Sequence, residues 1–325
     1  MLVFIIRRLL QSLLALAVMS LLVFVGVYLI GDPVAILASP DATEVDREQI
    51  ARALGLDRPL WEQYALFVGE ALRGNFGKSF VFGQPAMGLI FERMGATVEL
   101  ALVATVVSIL VGLPLGIYAG LRPDGIAGRS IMAGSILGFS LPTFWVGLML
   151  IMIFAVQLGV LPASGRGEVG SFLGLHSSLF TLNGIVHLIL PATTLALVRA
   201  ATTIRLARAG VREVLHMDYV KFARAKGLPE RRVIGVHVLK NIMIPIVTVT
   251  GLEIGSVIAF AVVTETIYAW PGMGKLLIDS IVNLDRPVVV AYLIVVLFIL
   301  VMLNLVVDIL YSVLDPRVRL GEQKG

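Results

Sequence analysis

Three ionisable residues stand inside otherwise apolar runs: Arg199 within Gly184–Leu206, Glu253 within Ile242–Thr264, and Asp308 near the end of Val288–Leu310. A charge near mid-bilayer costs at least a few kcal/mol unless it faces protein, water or a partner, so none of the three is expected to face lipid. At 1.5 Å per residue, Arg199 lies about 20 Å from the outer end of its run, and Glu253 lies about 15 Å from the inner end of its own. Their depths overlap, and an Arg199–Glu253 ion pair follows. Two roles are open to it: lining a translocation path, or locking two helices or a companion subunit in place. Asp308 is close enough to the inner interface to pair with a cytosolic arginine.

Other chemistry is absent. His187 and His237 stand one to a helix, without the paired spacing that metal ligation requires, and read as structural histidines. No G-x-x-x-x-G-K-[ST] run is available to cradle a nucleotide phosphate. The chain has no cysteine, so disulfides and thiolate metal sites are excluded. With no activated serine and no paired carboxylates, the chain is not expected to be an enzyme or to hold a cofactor or metal of its own.

The elements that must carry these charges are membrane spans. Of 325 residues, 58% are apolar and 15% charged, far from a soluble domain. The first uncharged run, Leu9 to Ile30, is about 33 Å long as a helix and follows Arg7 and Arg8. It exceeds the apolar core of a cleaved signal peptide and lacks a convincing cleavage site. Further spans are predicted at Leu100–Leu121, around Ile131–Gln157, and at the three runs above. The fold expected is an all-α integral membrane protein of six transmembrane helices. Pro114, Pro142, Pro191 and Pro245 fall within spans and bend them, while Gly134, Gly138 and Gly147 permit close packing.

The net charge of +4 does not point to nucleic acid, because Lys and Arg gather in short segments beside apolar runs. Arg205 at the inner end of the fourth span, and Arg208, Arg212, Lys221, Arg224, Lys226, Arg231, Arg232 and Lys240 between it and the fifth, set that segment and both termini in the cytosol. The organisation expected is residues 1–30 as cytosolic N-terminus and first span, 31–95 as an outer helical segment, 96–312 as a five-helix core with a cytosolic segment at 206–241, and 313–325 as a cytosolic tail. In the outer segment, Thr43 caps a helix with Glu44 and Asp46 in its first turn, and Gly55 suits its C-terminal end. A second helix, about Pro59 to Arg73, gathers Leu60, Trp61, Tyr64, Phe67, Val68, Ala71 and Leu72 on one face. That stripe packs on the bundle or outer leaflet, or docks an external protein.

Between Arg205 and Lys240 the charges follow one or two short helices broken at Gly227-Leu228-Pro229. Ala223, Ala225 and Gly227 are small enough for another surface to approach the backbone. A loop attracted to anionic lipid explains the charge but not these small residues or the break. At this point the chain resembles the permease subunits of ATP-binding-cassette importers, in the B-type branch for dipeptides, oligopeptides, glutathione and nickel. The family signature is E-A-A, three variable residues and G, then I-x-L-P. Gly227 matches its glycine and Ala223 its second alanine, while Lys221 replaces the glutamate, Phe222 the first alanine, and Pro245 is displaced. The peptide branch reads much like Tyr219-Val220-x-x-Ala223-Arg224-Ala225-Lys226-Gly227-Leu228. Similarity extends through Gly31-Asp32-Pro33, Leu54-Gly55-Leu56-Asp57-Arg58-Pro59-Leu60, Gly74-x-Phe76-Gly77-x-Ser79, Trp270-Pro271-Gly272-Met273-Gly274 and Leu314-Asp315-Pro316-Arg317. The Arg-Asp-Tyr-Pro usual before the last span stands here as Leu284-Asp285-Arg286-Pro287.

The resemblance implies a type I importer permease fold in a bacterial inner membrane. It implies ATPase coupling through Tyr219, Lys221, Ala223, Arg224, Ala225, Lys226, Gly227 and Leu228. The implied partners are a second, homologous permease, two cytosolic ATPases that bind ATP and Mg, an external substrate-binding protein and membrane lipid. Short peptides are the implied cargo, with glutathione or nickel as the alternative. A self-contained transporter in which Glu253 or Asp308 carries protons is the reading from another class; six spans without an evident repeat speak against it.

Overall fold

The computed structural model describes residues 2–29, 34, 43–53 and 57–314. Gly31-Asp32-Pro33, Gly55 and the tail from Asp315 lie outside the described residues. In chain order the helices are α1 (Leu2–Leu29), α2 (Glu44–Ala53), α3 (Leu60–Leu72), α4 (Ala86–Leu121), α5 (Ile126–Ser140), α6 (Thr143–Leu150), α7 (Leu182–Leu215), α8 (Asp218–Ala225), α9 (Leu239–Ile267), α10 (Met273–Val282) and α11 (Arg286–Leu314). A two-stranded antiparallel hairpin, β1 (Gly170–Phe172) and β2 (Leu175–Ser177), precedes α7. Among the described residues, five helical stretches are long and apolar enough to span a membrane, and six if the bent pair formed by α5 and the helix from Thr143 to Gln157 is one crossing.

The chain divides into two compact units, residues 1–95 with 272–325, and residues 96–271. In the first, α1 packs along α11 and touches α3. Tyr64 and Phe67 of α3 meet Phe24 at ring separations of 5.3 and 5.8 Å, and the Tyr64 hydroxyl lies 2.9 Å from Ser20 Oγ. The expected stripe on α3 therefore divides. Tyr64 and Phe67 pack on α1, whereas Leu60, Trp61 and Leu72 stay exposed.

Two of the sequence motifs meet in this unit. Asp285, fully buried, accepts hydrogen bonds from Ser79 Oγ and from the backbone N–H groups of Phe80 (3.0 Å) and Val81 (3.4 Å). Gly77, at φ +83°, lets Pro287 approach; a Cβ there would lie 3.7 Å from the proline ring. Thr43 and Asp46 bond reciprocally at the start of α2, Asp46 N–H to Thr43 Oγ1 at 3.3 Å and Thr43 N–H to Asp46 Oδ2 at 3.0 Å. The Thr43 hydroxyl, and after it the Thr43 backbone, holds the exposed Asp46 carboxyl below its usual range.

The second unit centres on α7, which packs against α5, α6 and α9. The span expected around 131–157 is sharply bent: α5 and the helix from Thr143 to Gln157 meet at 106°. Pro142 is the reason, because its ring forces Leu141 into the extended region (ψ 134°) and ends α5. Pro114, Pro191 and Pro245 stay inside continuous helices. The buried Tyr268 ties the unit together, with its hydroxyl 2.9 Å from Thr194 Oγ1 and donating to Gly147 O at 3.1 Å. Small residues bring α4 onto α7: a Cβ at Gly112, Gly116 or Gly120 would fall 2.8 Å from Thr203 Cβ, 2.6 Å from Ile204 O and 2.7 Å from Val211 Cβ.

Candidate functional site: the α8 segment and the charges of the core

Helix α8 forms where Asp218 opens a short amphipathic run, with Lys221 reaching back to it at 3.0 Å. Val220 and Ala223 turn inward and join Ala207, Val211 and Val214 of α7, Val233 and Val238, and Ile242 and Ile246 of α9 in one buried cluster. The chain leaves the helix through Gly227 at φ +76°, whose N–H donates to Arg224 O at 2.9 Å while Leu228 N–H donates to Ala223 O at 3.3 Å. Pro229 then starts a new turn, and Arg224 grips Glu230 across the break at 2.8 and 3.3 Å. That pair is exposed, so it fixes direction more than it stabilises.

The expected coupling residues thus separate into two faces. Ala223 contributes its small side chain to the protein's own core and is not a gap for another surface. Tyr219, Lys221, Phe222, Arg224, Ala225, Lys226 and Gly227 are exposed, and Leu228 is half-buried. Phe222, read in the sequence only as a departure from alanine, is 61% exposed with Lys226 Nζ 4.5 Å above its ring. An aromatic side chain held outward on a helix whose other face is fully packed is a knob suited to a cleft.

Arg199 of α7 and Glu253 of α9 meet, Nη1 to Oε2 at 3.2 Å. The guanidinium also donates to Glu253 O (3.3 Å) and to Ser256 Oγ (3.3 and 3.4 Å), so most of its bonds end on α9. Only the backbone is described at Asp308. His187 Nδ1 is bonded to Asn183 O within its own helix, and no group of metal-ligating side chains forms among the described residues.

A further set of buried charges escaped the sequence reading. Glu99, 8% exposed, pairs with Arg166 and accepts the Ser178 N–H at 3.0 Å, and Arg166 Nε donates to Ser178 Oγ at 3.1 Å. Arg166 lies 5.8 Å from the ring of Trp270, whose indole N–H donates to Ala96 O at 2.9 Å. Glu265, fully buried, accepts from Thr97 Oγ1 at 2.6 Å. Together these bonds fasten the hairpin-bearing loop and the end of α9 to α4. Both carboxylates sit one residue outside a predicted span, Glu99 just before Leu100 and Glu265 just after Thr264.

The described residues thus form helices of membrane-spanning length that hold two internal ion pairs, with a short amphipathic helix packed on α7 and α9. Residues 112–320 match the model for binding-protein-dependent transport system inner membrane components, and residues 1–101 match that family's N-terminal model. The chain belongs to that family. It is 37% identical to the dipeptide transport system permease protein DppB of Escherichia coli K12, over 98% of this chain and 99% of that protein. It is 40% identical to the di/tripeptide transport system permease protein DppB of Pseudomonas aeruginosa UCBPP-PA14, over 92% and 94%. Among solved structures, the inward-facing MetNI methionine ABC transporter matches with a TM-score of 0.55 at 13% identity, over 70% of this chain and 97% of that one. That likeness shows a shared type I importer permease fold.

Proposed function

We propose that this chain is the permease subunit of an ATP-driven importer of short peptides, working with a second permease, two cytosolic ATPases that bind ATP and Mg, and an external binding protein. Peptide cargo rests on the similarity to dipeptide and di/tripeptide permeases over nearly the whole chain. The family match supports placement in a bacterial inner membrane, and the distribution of Lys and Arg supports both termini and α8 on the cytosolic side.

The observation that carries the mechanism is the packing of α8. Val220 and Ala223 are buried among residues of α7 and α9, so a push on the Phe222 face reaches both helices through close-packed contacts. Closure of the ATPases on nucleotide supplies that push. The Arg199–Glu253 pair acts as a lock that makes α7 and α9 respond as one body, since Arg199 is 18% exposed and spends its donors on α9. A pathway-lining cation would need those donors free.

Phe222→Ala in the full transporter tests the coupling role. Its ring is mostly outside the core, so insertion and melting are expected to stay near wild type, while co-purification of the ATPases or cargo-stimulated ATP hydrolysis falls at least tenfold. Wild-type coupling in that variant would sink the assignment. Cargo is settled separately by screening the cognate external receptor against dipeptides, oligopeptides, glutathione and nickel chelates.

A further inference from the structure

At the α8 end of α7, Arg205, Arg208 and Arg212 recur at i, i+3 and i+7 and line one side of an open cleft of about 500 Å³. Met132 of α5 and Ala209, Glu213 and His216 complete its lining. Arg205 stacks over the ring of Phe139 with its Cζ 4.3 Å from the centroid. Arg208 Nε is buried with no hydrogen-bond partner. No ion pair joins Arg205, Arg208 or Arg212 to a carboxylate among the described residues. His216 Nδ1 is occupied by Arg212 O at 2.6 Å, which leaves Glu213 as the one acid lining a cleft that holds three guanidinium groups. Topology signalling alone asks for positive charge on this side of the membrane, not for three arginines converging on one cleft with a donor left buried and unmet.

Depth narrows the class of anion that would fit. Arg205 is about 35 Å along α7 from Leu182, so the three arginines stand just past a hydrocarbon core of about 30 Å, at headgroup level. Along α5, about one and two turns past Met132 of the cleft, Ile136 is 55% exposed and Phe139 51%. We propose that this cleft binds an anionic phospholipid of the leaflet on the α8 side, with the headgroup phosphate on Arg208 and Arg212 and an acyl chain along Ile136 and Phe139. Guanidinium groups suit phosphate oxygens because their fixed fork of donors matches them pairwise.

The test uses the full transporter in detergent, with phosphatidylglycerol as probe and native mass spectrometry as readout. Wild type is expected to retain phosphatidylglycerol through delipidation, to release phosphatidylcholine, and to keep its lipid against equimolar inorganic phosphate. Each arginine near the surface contributes about fivefold, so Arg208→Gln with Arg212→Gln is expected to weaken retention about 25-fold. Arg208→Lys with Arg212→Lys keeps the charge and retains most of the binding, which separates loss of the site from loss of the fold. Equal retention by the glutamine variant overturns the proposal. So does displacement by inorganic phosphate, which marks a free-anion site, or binding only after the partner subunits are stripped away, which marks a protein interface.

Discussion

The contact of α4 with α7 offers the sharpest quantitative test, because it involves backbone that cannot swing aside. A Cβ added at Gly116 would stand 2.6 Å from Ile204 O, 2.7 Å from Ala207 Cβ and 3.0 Å from Ile204 Cα. Two of those atoms are backbone and the third is a methyl fixed to it, so no rotamer change relieves the clash. The helices must separate by several tenths of an ångström, and Gly112 and Gly120, equally tight one turn to either side, must separate with them. Overpacking of this kind costs about 1–3 kcal/mol, with the upper half of that range expected where three turns are coupled. Gly134 is the control, since a Cβ there meets nothing within 4 Å. Gly134→Ala is expected to be neutral, or stabilising by up to about 1 kcal/mol through helix propensity. The assay is thermal melting of the detergent-purified chain followed by size exclusion, with both variants and wild type in one detergent. Gly116→Ala melting with wild type, or Gly134→Ala falling as far as Gly116→Ala, would refute the reasoning.

Three further outcomes follow from the charges. Glu253→Gln leaves Arg199 bonded to Glu253 O and Ser256, so it should cost only about 1 kcal/mol, whereas Arg199→Gln strands a partly buried carboxylate and should cost about twice that. The double exchange, Arg199→Glu with Glu253→Arg, should restore both assembly and transport; restored assembly with lost transport would assign the pair to the cargo path instead. Arg166→Met removes the partner of a carboxylate only 6% exposed and should cost about 3–5 kcal/mol, visible as a large loss of melting temperature. For Asp46, whose folded pKa is lowered, the capping contribution is present above the ordinary carboxylate range and fades as pH falls through the lowered value. Thr43→Ala removes the main cause, so the Asp46 carboxyl signal in NMR should titrate at higher pH, back toward 3.8.

Most of the architecture was legible because membrane spans are dictated by one requirement, that backbone polar groups be satisfied within the segment. Long uncharged runs therefore announced helices, and the position of Gly227-Leu228-Pro229 announced the break after α8. What the sequence could not show was where helices run past the apolar core. Helix α4 begins at Ala86, not Leu100, and that extension carries Glu99 into the buried cluster with Arg166. Glu265 was hidden likewise, one residue beyond Thr264. The paired depths of Arg199 and Glu253 were readable from rise per residue alone, since both sit well inside their runs. Of the packing glycines, Gly138 and Gly147 do lie buried against Leu197 and Thr194 of α7 while Gly134 is open, and the tightest helix contacts fall at Gly112, Gly116 and Gly120, which look no different without knowing which helix lies opposite.

The same helix, α7, carries the crossing with α4, the bond to α9 at Arg199, the core under α8 and the arginine cleft. Gly120 lies against Val211, and Val211 lies in the cluster with Val220 and Ala223, so the α4 contact continues into the site without a gap. A displacement of α8 thus has no soft layer in which to dissipate before it reaches the Arg199–Glu253 pair, about 24 Å up the helix from Leu215. On the proposed coupling, rigidity along α7 sets how much of an α8 displacement is passed on. A kink introduced between the two, as by Thr202→Pro, which lies outside the cluster beneath α8, removes the bond from residue 202 to residue 198 and should leave α8 able to seat on its partner while the far end no longer follows. ATPase association with lost transport is the expected pair of results; loss of both, in a variant that still inserts and migrates as wild type, would mean that α8 is positioned by α7 but does not work through it.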